Sequence, residues 1–478
     1  MHRTRVRARP QMTAARIGGA LLLSLSLLLS CAAPTARPNI LLIVLDTLRA
    51  DRLGCYGNTA GLSPALDAFA AGSTRFARTR AAAPWTLPSH ASLFTGLYAF
   101  EHGAHSYRVD VKPYGESEGE KKAVDNAFPL PESATTMAEV LASAGYATAG
   151  IVANQAYLGP EYGCTQGFAD YQILPETADV LVDQALAWLD RRDDATAGPF
   201  FLFLNFMDTH SPYNVAPREG WEDLGTPADS AKLLNQLNDI VLPGAQPDPA
   251  QIDLLRRQYD LSVANLDEQM GRLFNALRTR GLFDEAVILL TSDHGEYLGE
   301  HQLIGHSKDV YEEAIAVPFL LKSPQQAAAR VEERTISLVH AWALLAEHCS
   351  ALGGDAIAHP FGEATVLAEN YYSRIKDLRR PWSARFERCR VALYASDHKF
   401  IHSTDQRHEL YELPLDPFEA NNLAPSDVDL TRRLNLMLLD RLRPRFKSVA
   451  DVAEIDPAAN PRELSPEEQE RLRSLGYF

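Results

Sequence analysis

Cysteine is scarce, positive charge is in deficit, and apolar runs of membrane length are missing beyond the first thirty residues. Each shortage excludes something. Five cysteines occur among 478 residues, none of them in Cys-x-x-Cys or Cys-x-x-His spacing, so a zinc-finger module is ruled out. Lys and Arg number 46 against 62 Asp and Glu, a formal net charge of −16. That argues against nonspecific nucleic-acid binding, which needs a basic surface. It leaves room for a phosphate or sulfate ester as substrate, because a bound metal ion reverses the local field. No internal repeat is present. With 46% hydrophobic and 23% charged residues the chain has the composition of a globular protein and not of a disordered one. The length suggests more than one domain.

The N-terminus reads as a targeting segment. Arg3, Arg5, Arg7, Arg9 and Arg16 form a basic head, and residues 17–30 are apolar and small, with seven leucines. This is too short for a stable membrane span and fits a signal-peptide core. It closes on Leu28-Leu29-Ser30-Cys31, similar to a bacterial lipobox, with ordinary cleavage near Ala33 as the alternative. Cys31 then becomes the lipid-carrying N-terminus. Ala32 follows it where inner-membrane retention usually has Asp, so the expected location is the cell envelope, lipid-anchored, on the periplasmic face of the outer membrane. Contact with membrane is expected only through this anchor. The remaining cysteines, Cys55, Cys164, Cys349 and Cys389, allow three disulfide pairings or buried free thiols.

Beyond the leader, strand and helix patterns alternate. Residues 39–45, 147–152, 199–206, 286–291 and 317–322 are short apolar runs, expected as strands buried on both faces. Residues 135–143, 180–189 and 250–281 have helical spacing, and Gly145 and Gly281 end the first and last. The expected fold is α/β, a three-layer sandwich around a mostly parallel mixed sheet, over residues 37–350. Residues 390–394, 399–402 and 409–413 suggest a smaller antiparallel subdomain at 360–425, followed by a helical tail at 426–478. Residues 109–128 and 214–250 read as polar surface insertions.

The chemistry sits where the buried runs end. In open α/β sheets ligands bind beyond the carboxyl ends of the strands. One run ends in Asp46-Thr47, another in Met207-Asp208-Thr209-His210, a third in Ser292-Asp293-His294-Gly295-Glu296. A single acidic strand end commonly solvates a loop; three from distant parts of the chain are much less expected by chance.

These segments resemble the sulfatase family of the alkaline phosphatase superfamily. Pro38 to Asp46 with Leu53-Gly-Cys-Tyr-Gly57 is similar to its opening. The stretch Ala83-Pro-Trp-Thr86-Leu-Pro88-Ser-His90 is similar to its nucleophile motif, and Asp293-His294-Gly295-Glu296-Tyr-Leu-Gly-Glu-His301 to its second metal motif. Tyr311-Glu-Glu before Val317-Pro318, and His408-Glu-Leu-Tyr before Asp416-Pro417, extend the likeness to about residue 425. The departures carry information. Sulfatases have Cys or Ser, then Pro two residues on and Arg two further on, and convert the first to formylglycine. Here those positions are Thr86, Pro88 and His90, and Thr cannot give the aldehyde, so no formylglycine is expected. Thr47 stands at the family's second Asp, and His306 at its Lys, with Lys308 close by.

The resemblance implies a metal-dependent hydrolase of sulfuric or phosphoric esters in which Thr86 attacks directly. Relatives with an unmodified Thr mainly transfer phosphoryl groups, which tilts the expectation towards phosphate. Asp46, Thr86, Asp293 and His294 are the implied ligands of a divalent ion, Ca, Mg, Mn or Zn. Asp208, His210 and His306 either complete a second metal site or, with one ion, His210 and His306 contact the substrate oxyanion or protonate the leaving group. His90, one turn after Thr86, is a candidate for the same site, and Asn154 and Lys308 are further candidate substrate contacts. The expected partner is a sulfated or phosphorylated small molecule, glycan or lipid, and not nucleic acid. Two other readings stay open: an envelope phospho-headgroup transferase, and an inactive anion- or glycan-binding relative.

Overall fold

The computed structural model describes residues 37–108, 125–192, 198–216, 218–354, 357–378, 380, 382–452, 454 and 464–474. The leader with Cys31 and most of the 109–128 insertion lie outside these residues. The strands in chain order are β1 (Ile40–Leu45), β2 (Thr74–Arg80), β3 (Ala147–Val152), β4 (Asp170–Ile173), β5 (Phe200–Phe206), β6 (Val287–Thr291), β7 (Tyr297–Leu298) and β8 (Ile304–Gly305). They continue with β9 (Phe319–Lys322), β10 (Arg330–Ser337), β11 (Thr365–Asn370), β12 (Arg390–Ala395), β13 (His398–Ser403) and β14 (Glu409–Glu412).

Eight of them form one sheet in the order β10-β2-β9-β6-β1-β5-β3-β4. β1 pairs in parallel with β5 and β6, β3 with β4 and β5, and β10 with β2. Only β9 runs against its neighbours, β2 and β6. The sheet is therefore mixed but mostly parallel, as its continuous apolar runs imply. All six residues of β1 are fully buried, and they divide by parity. Ile40, Leu42 and Val44 face one core, shared with helices Thr86–Thr95 and Met137–Ser143. Leu41, Ile43 and Leu45 face the other, shared with helices Ala178–Asp190, Pro227–Val241 and Pro249–Thr279. Period-2 alternation along one strand thus builds the three layers.

β11 to β14 form a second, wholly antiparallel sheet in sequence order. It is tied to the larger sheet where Glu369 N donates to Ala82 O at 2.8 Å. Helices Val428–Leu442, Val449–Val452 and Pro466–Ser474 follow it. The 214–250 segment departs from expectation. It holds helix Pro227–Val241, capped by Thr226, which buries Ser230, Leu233, Leu237 and Val241. Its outer face is polar enough to hide that apolar stripe in a one-dimensional reading. Among the described residues all four cysteines are free, three of them buried and Cys55 half-buried.

Candidate active site

Four neighbouring parallel strands, β6, β1, β5 and β3, end at the same edge of the sheet, and each delivers polar residues there. Asp46 follows β1, Asn154 lies two residues past β3, Asp208 and His210 follow β5, and Asp293 and His294 follow β6. Asp46, Thr86, Asn154, Asp293 and His294 are fully buried. One ligand atom from each of Asp46, Asp293 and His294 lies within 4.8 Å of the others. His294 Nε2 stands 3.4 Å from Asp293 Oδ2 and 3.9 Å from Asp46 Oδ1.

Those three atoms have no hydrogen-bond partner among the described residues, whereas their opposite ends are fixed. Asp293 Oδ1 accepts from His294 N (2.9 Å) and Thr47 N (3.3 Å). Asp46 Oδ2 accepts from Asn154 Nδ2 (3.0 Å). His294 Nδ1 meets the Gly295 carbonyl at 3.0 Å and must donate there, which leaves Nε2 as an acceptor. Burial, reinforced by the charge of Asp293, pushes Asp46 up to about 8, and burial pushes Asp293 up to about 7 against its backbone hydrogen bonds. Two buried carboxylates and an imidazole, each with a bare donor atom turned to one point, fit a divalent cation.

Thr47 does not replace the family's second Asp as a ligand. It sits in the left-handed region at φ 61°, and its hydroxyl bonds the carbonyls of Asp46 (2.7 Å) and Thr209 (2.5 Å). This conformation costs about 1–3 kcal/mol, and it turns Thr47 N towards Asp293.

Thr86 is the first residue of helix Thr86–Thr95, which Gly96 closes in the left-handed conformation. Its hydroxyl therefore lies at the positive end of a helix, a setting that favours anions. Asn154 Nδ2 spans Asp46 Oδ2 and Thr86 Oγ1, the latter at 3.4 Å, and so links the hydroxyl to the carboxylate trio. Asn154 is itself held by Asn205 Oδ1, which accepts from Asn154 N, and by Ala156 N and Tyr157 N, which donate to Asn154 Oδ1. His90 Nδ1 lies 3.0 Å from Thr86 O and 3.4 Å from Asp293 Oδ2, with its ring edge-on to Phe94 and Phe203. Burial drops its pKa to about 3, so it is a neutral packed ring beside the trio and not a cation in place of arginine.

The histidines expected at the site do converge. The His306 ring is 4.7 Å from that of His294 and 4.9 Å from that of His210. His306 Nδ1 is 2.9 Å from Glu296 Oε2, and His210 Nδ1 is 2.6 Å from Ser211 O. Burial drops His210 to about 3. The Asp208, His210 and His306 grouping is not formed as a ligand set. Among the described residues these three do not gather their ligand atoms as Asp46, Asp293 and His294 do. Asp208 Oδ1 is taken by Ala178 N (3.2 Å), at the start of helix Ala178–Asp190, and by Asn214 Nδ2 (2.6 Å). Lys308 is buried beside the same histidine, with Nζ 3.3 Å from His306 O and 3.9 Å from Asp377 Oδ2.

Two contributors escaped the sequence reading. Glu296 is fully buried and orients His306; its place directly after Asp293-His294-Gly295 was the available signal. Arg49 pairs with Asp51 but also donates to Glu296 O at 3.0 Å and Glu300 Oε1 at 3.1 Å, which clamps the loop after β6.

Comparison with known proteins agrees with this architecture. A family model described as sulfatase matches residues 38–349. An uncharacterised sulfatase of Escherichia coli (strain K12) is 25% identical, covering 86% of this chain and 89% of its own. A choline-sulfatase of Rhizobium meliloti is 25% identical, covering 82% and 83%. Among solved structures, a phosphonate monoester hydrolase of Agrobacterium radiobacter superposes with a TM-score of 0.64 at 21% identity, over 86% of this chain and 96% of that one.

Proposed function

This chain belongs to the sulfatase family and is a hydrolase acting on ester bonds, and from that premise we propose that it cleaves phosphoric esters in preference to sulfuric ones, with Thr86 as the nucleophile. The observation that carries the reading is Thr86 itself: a residue that cannot become formylglycine, at a helix N-terminus, bonded through Asn154 to Asp46. Asp46, Asp293 and His294 are the residues that would hold the divalent cation. Bound there, the cation supplies positive charge that lowers the pKa of the Thr86 hydroxyl and offsets the charge of the ester.

The chain's own groups account for the rest. Asn154 fixes the Thr86 hydroxyl. Attack by Thr86 Oγ1 on phosphorus expels the alcohol and leaves a threonine phosphate ester, which water then hydrolyses. With the Thr86 hydroxyl already deprotonated, His306 is the group placed to protonate the departing alkoxide: Glu296 accepts from Nδ1–H and favours the imidazolium, whose Nε2 proton passes to the alkoxide, and the neutral ring then takes a proton from the water that hydrolyses the threonine ester. His210, neutral and donating to Ser211 O through Nδ1, presents Nε2 only as an acceptor, for a water or a hydroxyl at the site. A sulfate ester of threonine has no elimination route of the kind a formylglycine hydrate gives, so phosphate is the better matched substrate. The basic, leucine-rich leader ending at Cys31 supports a location in the bacterial envelope with Cys31 as lipid anchor, where the substrate would be a sulfated or phosphorylated small molecule, glycan or lipid.

The test is turnover of an aryl phosphate monoester, an aryl phosphodiester and an aryl sulfate by the metal-reconstituted protein. One phosphate ester should exceed the sulfate in kcat/KM by about tenfold or more, ~1.4 kcal/mol in barrier. Thr86→Ala should lose on the order of 10³-fold while its melting temperature stays near that of the parent. Equal activity in the variant would remove Thr86 from the mechanism.

A further inference from the structure

The C-terminal subdomain meets the surroundings of the nucleophile at Arg374. This buried residue lies between β11 and the short helix Ile375–Leu378. Its backbone is fixed from both sides: Asn126 Nδ2 donates to Ser373 O at 3.1 Å, and Asp377 N donates to Arg374 O at 2.9 Å. The guanidinium pairs with the buried carboxylate of Asp125 and donates to the Tyr157 hydroxyl at 2.7 Å. Asp125 Oδ2 in turn accepts from Tyr162 OH at 2.6 Å. Arg374 Cζ also lies 4.5 Å from the centre of the Trp85 ring and 5.0 Å from that of Tyr157, and these two rings meet edge to face at 5.4 Å. Adjacent opposite charges largely cancel at a distance, so the Arg374–Asp125 pair does not stand in for the family's missing arginine as a cation beside the ester. What it supplies is a fixed geometry for two aromatic rings.

Both rings adjoin the reacting groups. Trp85 precedes Thr86 as the N-cap of helix Thr86–Thr95 and makes no side-chain capping bond there, so the start of the helix takes its place from the packing of the Trp85 ring. Tyr157 N donates to Asn154 Oδ1, and Asn154 Nδ2 meets Thr86 Oγ1. A planar cation that covers one ring and bonds the hydroxyl of the other sets their mutual arrangement; a lysine ammonium does not do both. We propose that Arg374 is a positioning residue for the nucleophile, acting through Trp85 on Thr86 and through Tyr157 on Asn154, and that the C-terminal subdomain thereby completes the active site. The inference rests on the reading of Thr86 as nucleophile. In this scheme Arg374 touches neither ester nor metal and takes no part in bond breaking. A misplacement of about 1 Å at the attacking oxygen costs on the order of 10²-fold in rate, which sets the size of the expected effect.

Two readouts on the metal-reconstituted full chain test this. The first is turnover of an aryl phosphate well below the melting temperature. Arg374→Lys, which keeps a cation for Asp125, should retain the parent's metal content and hold KM within about threefold while kcat falls about 30-fold; Arg374→Ala should fall about 10²-fold. A merely structural arginine would lower the melting temperature and leave kcat per folded molecule at the parent's value. Trp85→Phe alone should lose about tenfold, and Trp85→Phe/Arg374→Ala should lose no more than Arg374→Ala, because one residue acts through the other. The second readout needs no turnover. Vanadate, which takes the Thr86 oxygen as a fifth ligand, should bind the parent about tenfold more tightly than it binds Arg374→Lys or Thr86→Ala. That pattern in a parent that cleaves no ester would uphold the role of Arg374 and sink the hydrolase reading. Parent-like kcat in the Arg374 variants, losses that multiply with that of Trp85→Phe, or vanadate affinity unchanged by Arg374→Lys would overturn the assignment.

Discussion

Asp46 and Asp293 define the electrostatics of the site. Both carboxyls are raised from the ordinary 3.8, to about 8 and about 7, so the metal-free fold favours their protonated forms. Stability from such groups is present below the unfolded-state pKa and is lost as pH rises through the folded values. The metal-free protein should therefore lose melting temperature between about pH 5 and pH 9, while saturating divalent metal should remove most of that slope, because a cation replaces the protons. Calorimetric scans with and without metal check this, and a metal-free profile that is flat across this range would contradict the burial argument. Asp293→Asn should flatten part of the metal-free slope and lose bound metal in elemental analysis; full occupancy in that variant would show that Asp293 is not a ligand. Most of these residues were legible in the sequence because strand ends announce themselves: a buried apolar run followed by Asp46, or by Asp293-His294. Glu296, Asn154's link to Thr86 and the capping role of Asp208 were not legible as such. Each depends on which atom of a side chain meets which partner, ten positions away for Glu296 and His306, thirty for Asp208 and Ala178, and 68 for Asn154 and Thr86.

The loop after β6 is held to the rest of the fold by its backbone. Gly295 N donates to Ala314 O at 2.9 Å and Glu296 N to Glu313 O at 3.1 Å, while Arg49 holds Glu296 O. A Cβ at Gly295 would lie 2.1 Å from Glu313 O, an overlap that backbone shifts must relieve at about 1–3 kcal/mol. Gly295→Ala should therefore stay folded but move Asp293, His294 and Glu296 together, with metal affinity down by about tenfold or more. A variant that binds metal and turns over like the parent would show that this packing does not set the site. At the same scale, β1, β3, β5 and β6 were readable because both faces are buried and the sequence is continuously apolar. β2 was not: Thr74–Arg80 carries three arginines and is only partly buried. β10 is an edge strand whose first residues are exposed, so its sequence shows neither alternation nor an apolar run. Helix Pro227–Val241 was lost for a related reason, since its four buried positions are diluted among Asp, Lys, Asn and Gln.

At the scale of the whole molecule, the fold class follows from the eight-stranded sheet: most of its neighbouring strands are parallel, and a parallel sheet needs helices on both faces. Its placement in the cell rests on the leader. Cys31→Ser, expressed with that leader intact, should no longer take up radiolabelled palmitate and should leave the membrane fraction; unchanged membrane association would defeat the lipid-anchor proposal. The central claim is direct attack by Thr86 without formylglycine, and rapid-quench peptide mapping addresses it directly. Metal-reconstituted protein is mixed with a phosphate ester, quenched in acid within the first turnover and digested. The account predicts phosphate on the peptide that contains Thr86, on the Thr86 hydroxyl, and none in Thr86→Ala. An unmodified Thr86 peptide during active turnover, or aryl sulfate turnover equal to or faster than phosphate turnover, would contradict it.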